Sequence, residues 1–219
     1  MADLWFPGAE RLDGPARKTS GESFPKQGLV IHSMEGGWPG SRRVLFDVRP
    51  RADGSLPGSW HFSNLKDGRL FQHYPIDVIA WHARGGNTRY AGMECEGRAG
   101  EPLTELQIRN AVAVTRWMKR VCEWGDLSRA RPEGNMVEHQ EVGIEANYAT
   151  ACPSHRIPWA KIMVRAEKED DMELLKQLEK NANFAAVLDK LGAIGLAGTK
   201  PTALELWWAR AVLDAMEAD

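Results

Sequence analysis

Apolar positions in the first two thirds of the chain come mostly in short runs bounded by turn residues. A helical rhythm emerges once near the middle and again toward the carboxyl end. Gly28-Leu29-Val30-Ile31-His32 is an apolar, β-branched run stopped by Glu35-Gly36-Gly37-Trp38-Pro39-Gly40, so it predicts a central strand with His32 at its carboxyl end. Ser59 to Leu65 and Arg69 to His73 alternate around Lys66-Asp67-Gly68, the pattern of a hairpin turning at Asp-Gly. A further strand is expected over residues 89 to 96. Thr104 and Gln107 form a capping box ahead of Ile108, Ala111, Val112, Thr115, Met118, Val121 and Cys122, whose steps of three and four predict a helix ending at Trp124-Gly125. Met136 to His139 reads as a short strand, and Glu141 to Pro158 as a loop long enough to carry function.

Strands interleaved with helices indicate an α/β protein with a mixed central sheet flanked by helices. Three parts are expected: an irregular arm over residues 1–27, a main domain over 28–164, and a helical appendage over 165–219. In the appendage, Met172, Leu175, Leu178, Ala182, Ala185, Leu188 and Leu191 keep helical spacing, and Pro201, Thr202 and Glu205 open a last helix that carries Trp207 and Trp208. Its expected roles are packing on the main domain, self-association with a second copy, or recognition of a surface component, in that order.

Composition excludes more than it assigns. The 219 residues are 43% hydrophobic and 26% charged, as a globular chain requires and a disordered or fibrous one does not. The formal charge of −2 gives no overall attraction to nucleic acid or to anionic membranes. No apolar stretch approaches the length of a membrane span, and the first residues lack the basic start and apolar core of an export signal. Cys95, Cys122 and Cys152 are too few for a disulfide framework, which leaves at least one thiol needing another explanation.

Of the six histidines, His61 and His73 lie on the expected hairpin as cross-strand neighbours, and His155 forms only a weak local pair with Cys152. His32, His139 and Cys152 differ, because each falls where a strand ends or a long loop runs. Two imidazoles and a thiolate are a donor set for catalytic zinc, with a fourth position left for water. Their separations fit no short zinc motif, so spacing alone does not establish the site.

Six segments occur together in the order found in one family. They are Gly28 to Ser33, Ser59-Trp60-His61-Phe62 with Lys66-Asp67-Gly68 behind it, Trp81-His82-Ala83-Arg84-Gly85-Gly86-Asn87, Ala91-Gly92-Met93-Glu94, His139-Gln140-Glu141-Val142 and Ala151-Cys152-Pro153-Ser154. Over about residues 26 to 162 the chain resembles zinc-dependent N-acetylmuramoyl-L-alanine amidases of type 2, a family that includes bacteriophage lysozyme-like amidases and peptidoglycan recognition proteins. The resemblance implies a zinc cleft with His32, His139 and Cys152 as Zn2+ ligands and Glu94 as the group that activates water. It also implies substrate contacts at Trp60, His82 and Asn87, and peptidoglycan as the partner. A surface glutamate pairing with Arg89 or Arg98 is the competing reading of Glu94.

Two positions depart from the phage pattern: Trp60 stands where a tyrosine is usual, and Thr150 where a lysine is. Thr150 is then a candidate donor to a developing oxyanion, and the loops at 36–58 and 141–158 with Trp38, Trp60 and Trp159 are expected to flank an open groove. The activity implied is cleavage of the muramoyl–L-alanine amide, as in a phage endolysin held in the host cytoplasm until lysis. An endopeptidase acting within the stem peptide and a non-catalytic peptidoglycan-binding module are the alternatives.

Overall fold

The computed structural model describes residues 4–130, 134–145 and 147–167. Eight strands are present among the described residues: β1 (Glu10–Arg11), β2 (Thr19–Ser23), β3 (Gly28–Ser33), β4 (Phe62–Asn64), β5 (Leu70–Gln72), β6 (Val78–Ala80), β7 (Tyr90–Cys95) and β8 (Met136–Glu138). The helices are α1 (Trp38–Phe46), α2 (Glu105–Val121), α3 (His139–Glu145) and α4 (Trp159–Glu167). Six strands form a mixed sheet in the order β1-β5-β4-β7-β3-β8, while β2 and β6 pair antiparallel on their own.

β3 is buried at all six positions, as its unbroken apolar run requires of a strand flanked by β7 and β8, both parallel to it. The hairpin forms as the alternation predicts, with Ser63 opposite Phe71 in an antiparallel pair. The period-2 pleat then sorts side chains between faces. Leu29, Ile31, Met93 and Cys95 join the core beneath α2 and α4, together with Ile108, Ala111, Trp117, Met118 and Ile162. Val30, Tyr90 and Val137 belong to a separate cluster with Ala83 and Val142. His32 and Glu94 are register partners on β3 and β7, one pleat step from Ile31 and Met93, so both share the face opposite α2.

α2 starts where the capping box places it: Gln107 N–H donates to Thr104 Oγ1 at 3.2 Å and Thr104 N–H donates to Gln107 Oε1 at 3.1 Å. It ends three residues earlier than expected, with Glu123 in the left-handed region at φ 54°. Cys95 is fully buried on β7, and Cys122 caps α2 rather than lying within it.

Several segments expected to be irregular are ordered. The arm contributes β1, which pairs with β5 at the sheet edge, and β2. The stretch read as a turn at Trp38-Pro39 is instead the first turn of α1, where proline's fixed φ and missing N–H suit a helix start. α3 occupies the front of the 141–158 loop, and α4 opens at Trp159, packed on α2 with Lys161 and Arg165 both paired to Glu105. The helical appendage, with the self-association expected of it, lies outside the described residues beyond Glu167. Among the described residues no helix is long and apolar enough to cross a membrane.

Candidate active site

Three chain segments converge at the carboxyl ends of β3, β7 and β8. β3 delivers His32, which is 1% exposed, β8 passes directly into α3 at His139, and the loop after α3 returns Cys152. One donor atom from each of the three lies within 4.8 Å of the others. Cys152 Sγ is 3.7 Å from His32 Nδ1. Tetrahedral zinc with Zn–N of about 2.05 Å and Zn–S of about 2.3 Å requires an N···S edge of about 3.6 Å, so the donor set fits that ion in chemistry and the His32–Cys152 edge fits it in length.

The protonation of His32 follows from its neighbours. His82 Nε2 faces the carbonyl oxygen of Tyr90 at 3.1 Å and must carry a proton to bond it, so His82 Nδ1 is an acceptor. His32 Nε2, 3.0 Å from that nitrogen, is therefore the donor. The Nδ1 lone pair of His32 is left facing Cys152, which is the form a metal ligand needs. Gly92 makes room for this relay, since a Cβ there would lie 2.6 Å from the His82 ring.

Burial keeps the imidazoles neutral. The His32 pKa is driven well below its usual value by desolvation and then by His139 and His82, while that of His139 falls to about 4 through desolvation and then Arg84. Desolvation, followed by the charge of Glu94, pushes the Cys152 thiol well above its usual range. The sulfur accepts the Ser33 N–H at 3.3 Å, and the Cys152 N–H donates to Thr150 Oγ1 at 3.2 Å. The buried Arg156 clamps the loop to the sheet: it donates through Nε to Glu101 O at 2.7 Å, through Nη1 to Ser33 Oγ at 2.7 Å, and through Nη2 to Glu96 O at 2.9 Å.

Glu94 Oε1 stands 4.0 Å from His32 Nδ1, and the side chain keeps 16% of its surface exposed. Its Oε2 is sealed and has no hydrogen-bond partner. The carboxylate thus lies beside the metal-type donors, nearest His32, rather than in an ion pair with a surface arginine. Desolvation raises its pKa to about 8, Glu35 adds to the rise and Arg156 opposes it. Such a group, beside three metal-type donors, is suited to accept a proton from water.

The other expected site residues are placed differently. Trp60 is 5% exposed inside an apolar cluster with Trp38 and Phe71, and its indole N–H is spent on Ser63 Oγ at 2.8 Å. Trp38 is 8% exposed, stacks on Phe71 and lines an open surface pocket with Pro39, Arg42, Phe46 and Phe71, whose lining includes none of the three donors. Trp159 is half-buried, with Arg129 over its ring. Both ring nitrogens of His82 are used within the protein, and Asn87 Oδ1 accepts the N–H groups of His82 and Ala83, so this pair supports His32 from behind. His61 accepts the Gly92 N–H and donates to Val78 O, a structural role, and His155 is exposed away from the donor group. Sequence reasoning missed Arg156 and Tyr148. Both sit in an aperiodic loop, where no pattern distinguishes an inward side chain from a solvated one.

The family model described as N-acetylmuramoyl-L-alanine amidase (Amidase_2) matches residues 23–155. The chain is 25% identical over 187 residues to the 1,6-anhydro-N-acetylmuramyl-L-alanine amidase AmpD of Escherichia coli (strain K12), covering 75% of this chain and 96% of that protein. Its fold resembles a crystal structure of an AmpD derivative, with a TM-score of 0.58 at 22% identity over 75% of this chain and 98% of that one. It also resembles the endolysin N-acetylmuramoyl-L-alanine amidase LysCS from Clostridium intestinale URNW, with a TM-score of 0.54 at 17% identity over 76% and 99%.

Proposed function

The chain belongs to the N-acetylmuramoyl-L-alanine amidase family, and we propose on that premise that it is a zinc-dependent hydrolase of the amide between the lactyl group of N-acetylmuramic acid and L-alanine. The observation that carries this reading is the convergence of His32, His139 and Cys152 beside a carboxylate, Glu94, with an unpartnered oxygen. Zinc held by the three donors would acidify a water and polarise the scissile carbonyl. Glu94 takes the water's proton and returns it to the leaving amine of L-alanine, which departs as the amide carbon–nitrogen bond breaks. Arg156 and Ser33 hold the Cys152 loop in place, and the His82 relay keeps the His32 lone pair directed at the site.

The motif pattern supports a lytic role, with polymeric peptidoglycan as substrate and the host cytoplasm as the location before lysis. The AmpD relative favours a second substrate, a soluble 1,6-anhydro-muropeptide. Digestion of purified sacculi, and separately of 1,6-anhydro-muropeptides, distinguishes the two. New L-alanine amino termini with intact glycan are expected, from the sacculi if the role is lytic and mainly from the soluble muropeptide if it is AmpD-like. A new amino terminus elsewhere in the stem peptide, or protein that binds without cleaving and holds no zinc, would overturn the amidase reading.

A further inference from the structure

Tyr148 sits in the loop between α3 and Cys152, and its position is tightly specified. Its N–H donates to Gly143 O at 2.9 Å, after a left-handed residue at Asn147 with φ 55°. A Cβ on Gly143 would lie 2.8 Å from the Tyr148 carbonyl oxygen and 3.4 Å from its ring, so the bare glycine is what lets the tyrosine close on α3. The ring stands edge-on to the His139 imidazole, with centroids 5.6 Å apart, and the Arg84 guanidinium covers its face at 4.7 Å. The Cys152 sulfur is an electrostatic neighbour of the phenol. The tyrosine ring is thus in contact with one of the three metal-type donor residues, His139, and feels the charge of a second, Cys152.

The Tyr148 hydroxyl oxygen is sealed from solvent and has no hydrogen-bond partner. A phenylalanine would pack against His139 and Arg84 equally well without leaving a buried donor unsatisfied. The Trp60 N–H is committed to Ser63 and both His82 nitrogens to the relay, while Thr150 Oγ1 accepts the Cys152 amide and keeps its own O–H. A phenol is protonated at neutral pH and offers its O–H.

We propose that Tyr148 is a catalytic residue: once substrate uncovers the phenol, which is closed off in the substrate-free protein, its O–H donates a hydrogen bond to the oxygen of the scissile carbonyl as that oxygen gains negative charge. The proton remains on the phenol throughout, so the contribution is electrostatic. This rests on the amide-hydrolase reading above and adds the group that stabilises its transition state.

Tyr148→Phe in the zinc-loaded full-length protein tests it, because the ring contacts survive and only the oxygen is lost. The expected result is a kcat lower by about 10²- to 10³-fold, as for removal of one oxyanion donor elsewhere, with KM within about twofold and one zinc per chain retained. Inhibition by acetohydroxamate, whose oxygens mimic those of the attacked carbonyl, should weaken by about tenfold, the scale of one lost hydrogen bond. Tyr148→Leu, which also removes the ring, should reduce zinc retention as well. Wild-type kcat and hydroxamate inhibition in Tyr148→Phe would overturn the proposal, and so would loss of zinc from that variant, which would make the hydroxyl a support for the ligands. If the wild-type protein cleaves a different amide, the proposed substrate falls, while the Tyr148→Phe comparison on that amide and with acetohydroxamate still decides the role of the phenol.

Discussion

Replacing His82 by leucine should weaken zinc binding without touching any ligand. His32 is 1% exposed, and its Nε2–H has one acceptor, His82 Nδ1 at 3.0 Å. Without that acceptor a buried donor is left unsatisfied, at a cost of about 1–3 kcal/mol. The imidazole relieves the cost by moving its proton to Nδ1, which blocks the lone pair that faces Cys152. Binding metal must then reverse the shift, and about 1–3 kcal/mol converts to a loss of roughly 5- to 150-fold in affinity. Losses of about 10- to 100-fold are usual for groups that orient metal-bound histidines. Competition with a chromogenic chelator, starting from metal-free protein, measures the loss, and a thermal melt checks that the fold survives. Gly92→Ala attacks the same relay sterically, since its Cβ would lie 2.6 Å from the His82 ring, and should shift affinity in the same direction with both imidazoles intact. Zinc affinities within twofold of wild type in both variants would refute the relay.

Two further outcomes follow from the buried polar groups. Glu94→Gln keeps the shape of the side chain and removes its capacity to accept a proton, so kcat should fall by about 10²- to 10⁴-fold with zinc retained; a variant that turns over normally would remove Glu94 from the chemistry. His73 is buried with Nδ1–H donating to Leu12 O and Nε2 bonded to Ser63 Oγ, and desolvation lowers its pKa to about 4. Between that value and the unfolded value near 6.5 the unfolded chain binds more protons, so stability falls as pH drops through this window. By pH 5 the loss should reach about 2 kcal/mol. Urea unfolding at pH 7 and pH 5, in wild type and in His73→Gln, should show that much less pH dependence in the variant, and equal dependence would refute the assignment.

Much of the sheet and part of the site are legible in the sequence because they follow periodicity. The β-branched run ending at His32, the Asp-Gly hairpin and the Thr104 capping box each state their conformation locally, and all three form as written. α1 escapes because Gly37 and Pro39 serve equally as turn residues and as a helix start, and nine residues carry too few apolar repeats to decide. The enclosure of Trp60 escapes for a related reason. A strand pattern fixes which side Trp60 takes but not whether that side is covered, and Trp38, from the unrecognised α1, joins Trp60 in an apolar cluster.

The third candidate ligand, Cys152, shows what lies beyond periodicity. His32 and Glu94 need only the register of two parallel strands to face one another, and His139 needs only the end of a third. Cys152 arrives 120 residues after His32 on an aperiodic loop, and a half-buried thiol is by itself a poor reason for a loop to stay in place. Arg156 supplies the reason, with its guanidinium hydrogen-bonded to Ser33, Cys95, Glu96 and Glu101 at the ends of the strands that carry His32 and Glu94. A buried cation whose donors are satisfied by carbonyls and a hydroxyl holds its geometry in the absence of metal. The proposed ligand set is thus preformed, and what zinc would have to overcome on binding is chiefly the proton on the half-buried thiol, so affinity should decline as pH falls.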